Sequence, residues 1–242
     1  MTAPPSLPSP TLRLADHVRA CCLGDQVVLL DLRRGKYLAV HRDRWSQATG
    51  DFASPSCKQG ADQIVTDRSD PGSANPLLRQ GLLTSLPRHQ VTSRPLRPAT
   101  HSWDPRGAAH HRPIGALRTW HLLRATAWAA TALRMRTLEH ITDQVARSAA
   151  RLQDLRSGNR PRLDDTVAAF HALRPLLFTA RDRCLNDSLA LVAFLAREGI
   201  ASRWVIGVRV QPFGAHAWVQ VDGLVLNDLH ENVRHYEPIL VV

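Results

Sequence analysis

Cys184, His216 and Asp228 are the residues of this chain whose types and order could carry out covalent chemistry. A cysteine thiolate attacks a carbonyl carbon, a histidine takes and returns the proton, and a carboxylate fixes the histidine's tautomer. Cys184 lies in Arg181-Asp182-Arg183-Cys184-Leu185-Asn186-Asp187-Ser188-Leu189. This stretch opens a predicted helix from about Asp182 to Glu198, stopped at Gly199, a usual residue just past a helix end. Unpaired N–H groups and the macrodipole at a helix N-terminus favour a thiolate, and Arg181 and Arg183 add positive charge. His216 sits in Ala215-His216-Ala217-Trp218-Val219 and Asp228 ends Leu224-Val225-Leu226-Asn227-Asp228, both read as strands. Taken singly, Cys184 could be a small core residue, His216 a half-buried histidine and Asp228 a strand end. Their order on suitable elements is what points to an activated thiol.

The hairpin joining His216 to Asp228 sets a geometric condition. A two-residue turn at Asp222-Gly223 pairs Val221 with Leu224 and Ala217 with Asp228. His216 and Asp228 then fall on opposite faces. A three-residue loop, Asp222-Gly223-Leu224 with a bulge, puts Asp228 opposite Trp218 and diagonal to His216, within reach. A working triad therefore predicts an odd-length loop or bulge, against the strong two-residue signal of Asp-Gly. Trp218 shares the His216 face, where it either shields the imidazole or simply packs. Gly207 and Gly214 either admit a substrate backbone or serve turns. His230 and His235 are rival bases, with spacing that favours His216.

The elements that position these residues follow from periodicity. Residues 1–10 hold four prolines and read as a disordered N-terminus. Val18–Leu23, Gln26–Leu32 and Lys36–Val40 read as three strands separated by Gly- and Arg-rich turns. A short helix follows from Asp43. Residues 50–73 are weakly patterned. Asn75 caps a helix through Pro76-Leu77-Leu78-Arg79-Gln80-Gly81-Leu82-Leu83, with proline at its first position. Three strands and then helices predict a small winged-helix-like domain over 11–86. Residues 87–113 hold five prolines, five arginines and four histidines against one acid, Asp104, and read as a solvated linker. From Ile114 onward, helical spacing predicts four helices. The first carries Ile114, Leu117, Trp120, Leu123, Ala127 and Ala130, and the second Leu138, Ile141, Val145, Ala149 and Leu152. The third is capped at Asp164 and runs through Phe170. Strands Arg203–Val210, Ala215–Val221 and Leu224–Asp228 complete an α+β domain over 114–242: helices, then an antiparallel sheet.

Composition narrows the classes. The net charge is +10, but the arginines are spread along the chain without a nucleic-acid recognition motif, so nucleic acid is not an expected partner. No run of ~20 apolar residues spans a bilayer and no secretory signal opens the chain, so no membrane partner and a cytoplasmic location are expected. The four cysteines, Cys21, Cys22, Cys57 and Cys184, include no CxxC pair, and His110-His111 lacks a supporting ligand, so no metal site is expected. Cys21 and Cys22, adjacent on a strand, point to opposite faces and read as packing residues.

Three segments carry a family resemblance: Arg183-Cys184-Leu185-x-x-Ser188-Leu189-Ala190-Leu191; Gly207-Val208-Arg209 with Pro212-Phe213-x-Ala215-His216-Ala217-Trp218-Val219; and Asp222-Gly223-x-Val225-Leu226-Asn227-Asp228. They resemble the B proteins of lasso-peptide biosynthesis, which are transglutaminase-like cysteine peptidases, over about a quarter of the chain. The resemblance implies a papain- or transglutaminase-like fold for 114–242, with Cys184, His216 and Asp228 catalytic. It implies a PqqD-like recognition element, winged-helix in form, in the N-terminal domain. That element binds the leader of a precursor peptide as a strand added beside the third strand, against the third helix. By this analogy Tyr37, Leu38, Val40, Leu77, Leu78 and Leu82 are candidate leader-binding residues, although the same residues also read as core. The implied activity is hydrolysis of the leader from the lasso precursor, without cofactor. The core then passes to a separate ATP-dependent cyclase that closes the macrolactam.

No GxxxxGK[ST] phosphate loop occurs, so ATP activation is not expected of this chain. Two other classes fit the same residues. One is an acyltransferase or transglutaminase, in which an amine replaces water. The other is a non-catalytic peptide- or DNA-binding module, whose binding to DNA would be salt-dependent and indifferent to Cys184→Ala.

Overall fold

A β-hairpin ladder begins the structure, a computed structural model that describes residues 13–49, 76–84, 96–104, 114–153, 160–177 and 184–242. The first strand, β1 (Arg13–Leu14), precedes β2 (Val18–Leu23), β3 (Gln26–Asp31) and β4 (Lys36–His41). The last three form an antiparallel sheet in the order β2-β3-β4. Gly24, at φ 60°, sits in the two-residue turn that pairs Leu23 with Gln26. The wider β3–β4 turn is held by Asp31, whose carboxylate accepts the N–H groups of Arg33 and Arg34 at 2.9 and 3.1 Å. Helix α1 (Arg42–Thr49) and a short α2 (Pro76–Arg79) follow, and β5 (Leu83–Thr84) returns to pair with β1. Val18, Ala20, Val27, Leu29, Trp45, Leu77, Leu82 and Leu83 make the core, with Cys22 and Val40 packed at its margin. Cys21, on the other face of β2, is buried.

The three strands stand where periodicity put them, but the following helix is shorter than expected. It ends at Arg79, Gly81 takes a left-handed φ of 72°, and Leu82 and Leu83 leave the helical path. A residue without Cβ accepts that turn at little cost, so β5 replaces the predicted last turn of helix.

The remaining elements are β6 (His101–Ser102), α3 (Ala116–Met135), α4 (Leu138–Gln153), α5 (Arg160–Leu177) and α6 (Cys184–Arg197). They are followed by β7 (Arg203–Val210), β8 (Phe213–Val221), β9 (Leu224–Val225), α7 (His230–Val233) and β10 (Glu237–Val241). The sheet order is β10-β7-β8-β9-β6, antiparallel except for the β6–β9 pair. The chain is thus a mixed α and β protein: strands first, then helices, then a mostly antiparallel sheet, the α+β class expected. Residue contacts divide it into two units, Met1–Ser93 and Arg94–Val242. No helix among the described residues is long and apolar enough to cross a membrane. The proline-rich N-terminus, residues 50–75 with Cys57, His110-His111, and Arg181 and Arg183 lie outside the described residues.

Helix α6 is the axis of the second unit. Asp187 to Leu195 are buried on every side of it, as expected of a helix enclosed by protein. It packs between α3 and β8. Its end is closed by Gly199 at φ 75°, with Ile200 N–H on Leu195 O and Gly199 N–H on Ala196 O at 2.9 and 3.1 Å. Trp204 Nε1 donates to Ser188 Oγ at 2.9 Å, tying β7 to the helix. Removing the ring of buried Phe194 from this layer is a cavity of the kind that costs about 3–5 kcal/mol.

Three expectations change here. On α3 the buried face is Leu122, Ala125, Ala129 and Ala132, while Leu117 and Trp120 are 69% and 55% exposed. Small residues let α3 approach α6 closely, and the larger stripe turns outward. The stretch 87–113, read as solvated linker, contains β6: His101 and Ser102 pair with Leu224 and Val225. Thr100 N–H also bonds Gly223 O, and Trp103 N–H bonds Val225 O. An exposed sheet edge recruits main-chain donors whatever the side-chain composition, and that pulled this segment in. Strand β10, not foreseen, completes the other edge of the sheet beside β7.

Candidate active site

Cys184 is the first residue of α6 and half-buried. His216 is on β8, which α6 packs against, and Asp228 lies just before α7. His216 Nε2 stands 2.6 Å from Asp228 Oδ2. This leaves Nδ1 for the Cys184 side chain, with which His216 shares a hydrogen bond. The other Asp228 oxygen, Oδ1, accepts Leu229 N–H at 2.7 Å and Asn232 Nδ2 at 3.0 Å. One oxygen therefore anchors the carboxylate to α7 and the other faces the imidazole.

The three protonation states support one another. Hydrogen bonding to His216 is the main influence holding the Cys184 thiol below its ordinary value. Burial opposes it, and the N–H groups of Ala217 and Leu185 lower it further. Burial pulls His216 down, but hydrogen bonds to Asp228 and Cys184, with their charges, raise it to about 9. Burial pushes Asp228 up, yet hydrogen bonds from His216, Asn232 and Leu229 leave it below the usual carboxylate value. These directions favour a thiolate–imidazolium pair backed by a carboxylate, the form in which a thiol is nucleophilic.

These shifts predict a pH profile. Activity falls as pH rises through about 9, where His216 loses the proton a leaving group needs. On the acid side it persists below the ordinary thiol range and ends when Cys184 is protonated. For stability, the raised His216 pKa contributes fully below 6.5 and is lost through about 9. The depressed Asp228 contributes above 3.8 and is lost as pH falls further. Iodoacetamide alkylation of Cys184 across pH, beside thermal melts, reads both; an alkylation onset at the ordinary thiol value would contradict the first.

The hairpin corrects the register expectation. Asp222 and Gly223 form a two-residue turn, both at positive φ of 47° and 88°, with Val221 opposite Leu224 and Gln220 opposite Val225. There is no odd loop. This is the turn that Asp-Gly favours. The triad survives because the second strand leaves the sheet after Val225. Leu226 N–H still bonds Val219 O at 2.9 Å. The reciprocal bond is missing: Val219 N–H donates to the side chain of Asn227, Oδ1, at 2.9 Å. Leu226 O turns away to accept His171 Nε2 at 2.8 Å. Asp228 is thereby released from the pleat and swings back to His216.

Asn227 and His171 hold this strand break, a role that sequence reasoning gave to neither. Asn227 Nδ2 lies 3.4 Å from Asp187 Oδ2, and Arg174 Nε holds Asp187 Oδ1 at 2.8 Å. Burial lowers the His171 pKa, opposed by its bond to Leu226 and aided by Arg174, which keeps the ring neutral. It stacks on Trp103 with centroids 4.9 Å apart. Helices α5 and α6 and the stretch before α3 thus all clamp the strand break. Asn227→Ala removes the substitute acceptor for Val219 N–H, a loss of about 1–3 kcal/mol. The expected result is a fall in turnover with unchanged substrate KM, measured by steady-state kinetics; a changed KM at unchanged turnover would contradict it.

The imidazole is walled by aromatics. Trp218 lies 6.2 Å from His216 at 18°, and Tyr236 5.3 Å away at 38°. Trp218 is buried and bonded to Gln220, so it packs and shields at once. Gly207, opposite His216, has no room for a side chain: a Cβ would meet Trp218 and Tyr236 at 2.8 Å. It serves ring packing, not a turn. Tyr236 precedes β10 and was missed with it. Of the rival bases, His230 is bound to Ser102 Oγ at 3.0 Å and Glu231 at 3.1 Å, and His235 follows the end of α7 and is exposed.

The candidate leader-binding residues divide. β4 pairs with β3 on one side. Leu38 and Leu78 are exposed, Tyr37 and Val40 half-buried, and Leu77 and Leu82 core. Among the described residues no group of His, Cys, Asp and Glu could hold a metal ion.

Residues 122–241 match the Transglutaminase-like superfamily, so the chain carries a transglutaminase-like domain. A stretch of 45 residues is 51% identical to the microcin J25-processing protein McjB of Escherichia coli, covering 19% of this chain and 22% of that protein. No solved structure matches significantly.

Proposed function

We propose that this chain, through its transglutaminase-like domain, is a cysteine peptidase that removes the leader from a lasso-peptide precursor. The observation that carries the reading is the Cys184–His216–Asp228 arrangement, with a raised His216 and a lowered Cys184. The likeness to a microcin J25-processing protein supports the choice of substrate class.

In this mechanism the Cys184 thiolate adds to the carbonyl carbon at the leader–core junction. The Cys184 backbone N–H, in the first turn of α6 where a helix supplies no carbonyl of its own, donates to the oxyanion in this reading. As the intermediate collapses, the C–N bond breaks and His216 Nδ1 gives its proton to the departing core amine. The leader remains as a thioester. Neutral His216 then takes a proton from water, hydroxide adds to the thioester, and the C–S bond breaks to restore thiolate and imidazolium; the leader leaves as a carboxylic acid that loses its proton to solvent. Asp228 holds the Nε2–H throughout. The core, with its new amine, goes to an ATP-dependent cyclase.

Residues 11–86 serve as the recognition element in this reading. The leader adds as a strand along β4, where main-chain bonds give affinity and side-chain pockets give selectivity. Leu38 and Leu78 offer exposed apolar contact, Tyr37 and Val40 a partly open one, and Leu77 and Leu82 the floor beneath.

The test is mass analysis of a cognate precursor incubated with the protein, with and without the cyclase and an added amine. One cleavage junction with a free leader carboxylate is expected. An amine adduct on the leader in place of the acid would identify an acyltransferase. No cleavage by the folded protein with all partners present would leave a binding module.

A further inference from the structure

We propose that Arg209 is a specificity-determining residue whose guanidinium receives a carboxylate of the substrate beside the scissile bond. The proposal deepens the peptide-processing reading and rests on it for the word substrate. Arg209 lies opposite Gly214 on the β7–β8 ladder, and Gly207 lies opposite His216. Side chains alternate along a strand, so Arg209 and His216 share one face of the sheet. The contacts agree. A Cβ at Gly214 would stand 3.1 Å from Arg209 Nε, so the arginine lies across a position with no side chain to cover it. Its Cζ is 5.2 Å above the Tyr236 ring, and that ring is 5.3 Å from the His216 ring. One aromatic ring therefore separates the guanidinium from the catalytic base.

Among the described residues nothing accepts a hydrogen bond from this guanidinium. Nε is buried without a hydrogen-bond partner, and among the described residues no carboxylate pairs with Arg209. Other arginines facing the interior of the unit have theirs: Arg174 on Asp187, Arg118 on Glu198. Arg209 is half-buried, and a partly covered cation without an anion loses hydration that stacking on a ring offsets only in part. The planar fork fits a carboxylate in two-point contact. The ligand chemistry is thus an acidic side chain of a peptide, within one or two residues of the bond attacked by Cys184.

The test uses two alkylating probes of equal size, the α-amides of N-iodoacetyl-aspartate and N-iodoacetyl-asparagine, and reads the Cys184 alkylation rate of each. Wild-type protein is expected to prefer the acidic probe over the neutral one by about tenfold relative to a free thiol, the worth of one charge-assisted contact. Arg209→Gln is expected to remove that preference while leaving the neutral probe's rate unchanged, and Arg209→Lys to keep part of it. A wild type with no preference overturns the proposal whatever the variants do. So does an Arg209→Gln protein that keeps the preference, or that loses both rates equally, as a packing role alone would give. The probes need the thiolate and not peptide hydrolysis. An Arg209-dependent preference in a protein that cleaves no precursor would support the Arg209 assignment and overturn the peptidase reading.

Discussion

Cys184→Ala is expected to lower precursor cleavage by about 10⁴-fold or more, which is at least ~5.5 kcal/mol of transition-state stabilisation. No other group in the site supplies the attacking atom. His216, without the thiolate, returns toward an ordinary imidazole, because Cys184 supplies part of what raises it to about 9. The fold is expected to persist, since the thiol is half-buried at a helix start and not part of the packed interior. Single-turnover cleavage, followed by mass analysis beside a thermal melt, reads the two effects apart. Cleavage at even a hundredth of the wild-type rate in a folded Cys184→Ala protein would contradict a covalent mechanism.

Asp228→Asn is expected to cost about 10²–10⁴-fold in turnover, the scale seen when a triad carboxylate becomes an amide. The shape is nearly unchanged, but the amide can present an N–H to His216 Nε2. That favours the tautomer with its proton on Nδ1, pointing at Cys184, and the thiol loses its proton acceptor. The negative charge that helps raise His216 also goes. The alkaline limb of the turnover profile should therefore move down from about 9 toward the ordinary imidazole value. A drop in turnover with an unmoved limb would mean that Asp228 acts through packing alone.

Much of this site was legible because its signals are local. Gly199 marks the end of α6 and Asp222-Gly223 marks a tight turn; each depends on a few adjacent residues. The register argument failed because it carried the pleat of a strand through Leu226 and Asn227. A side-chain amide standing in for a main-chain acceptor is invisible in sequence, since it needs His171, Asp187 and Arg174 from two helices. Tyr236 went unread with β10, although the run Pro238-Ile239-Leu240-Val241 has the apolar character of a strand. β6 has no such character: its two residues pair because β9 offers an edge and Ser102 binds His230. The face of α3 was misplaced for a related reason. Alanines pack as well as leucines where two helices approach closely, and hydropathy ranks them lower.

The central claim is that Cys184 becomes acylated by the leader. Rapid acid quenching of wild-type protein with precursor, followed by intact-protein and peptide mass analysis, tests it directly. The expected result is a transient adduct equal in mass to the leader acyl group, located on Cys184 and absent from Cys184→Ala. Cleaved product accumulating without any adduct, and accumulating equally with Cys184→Ala, would contradict the account.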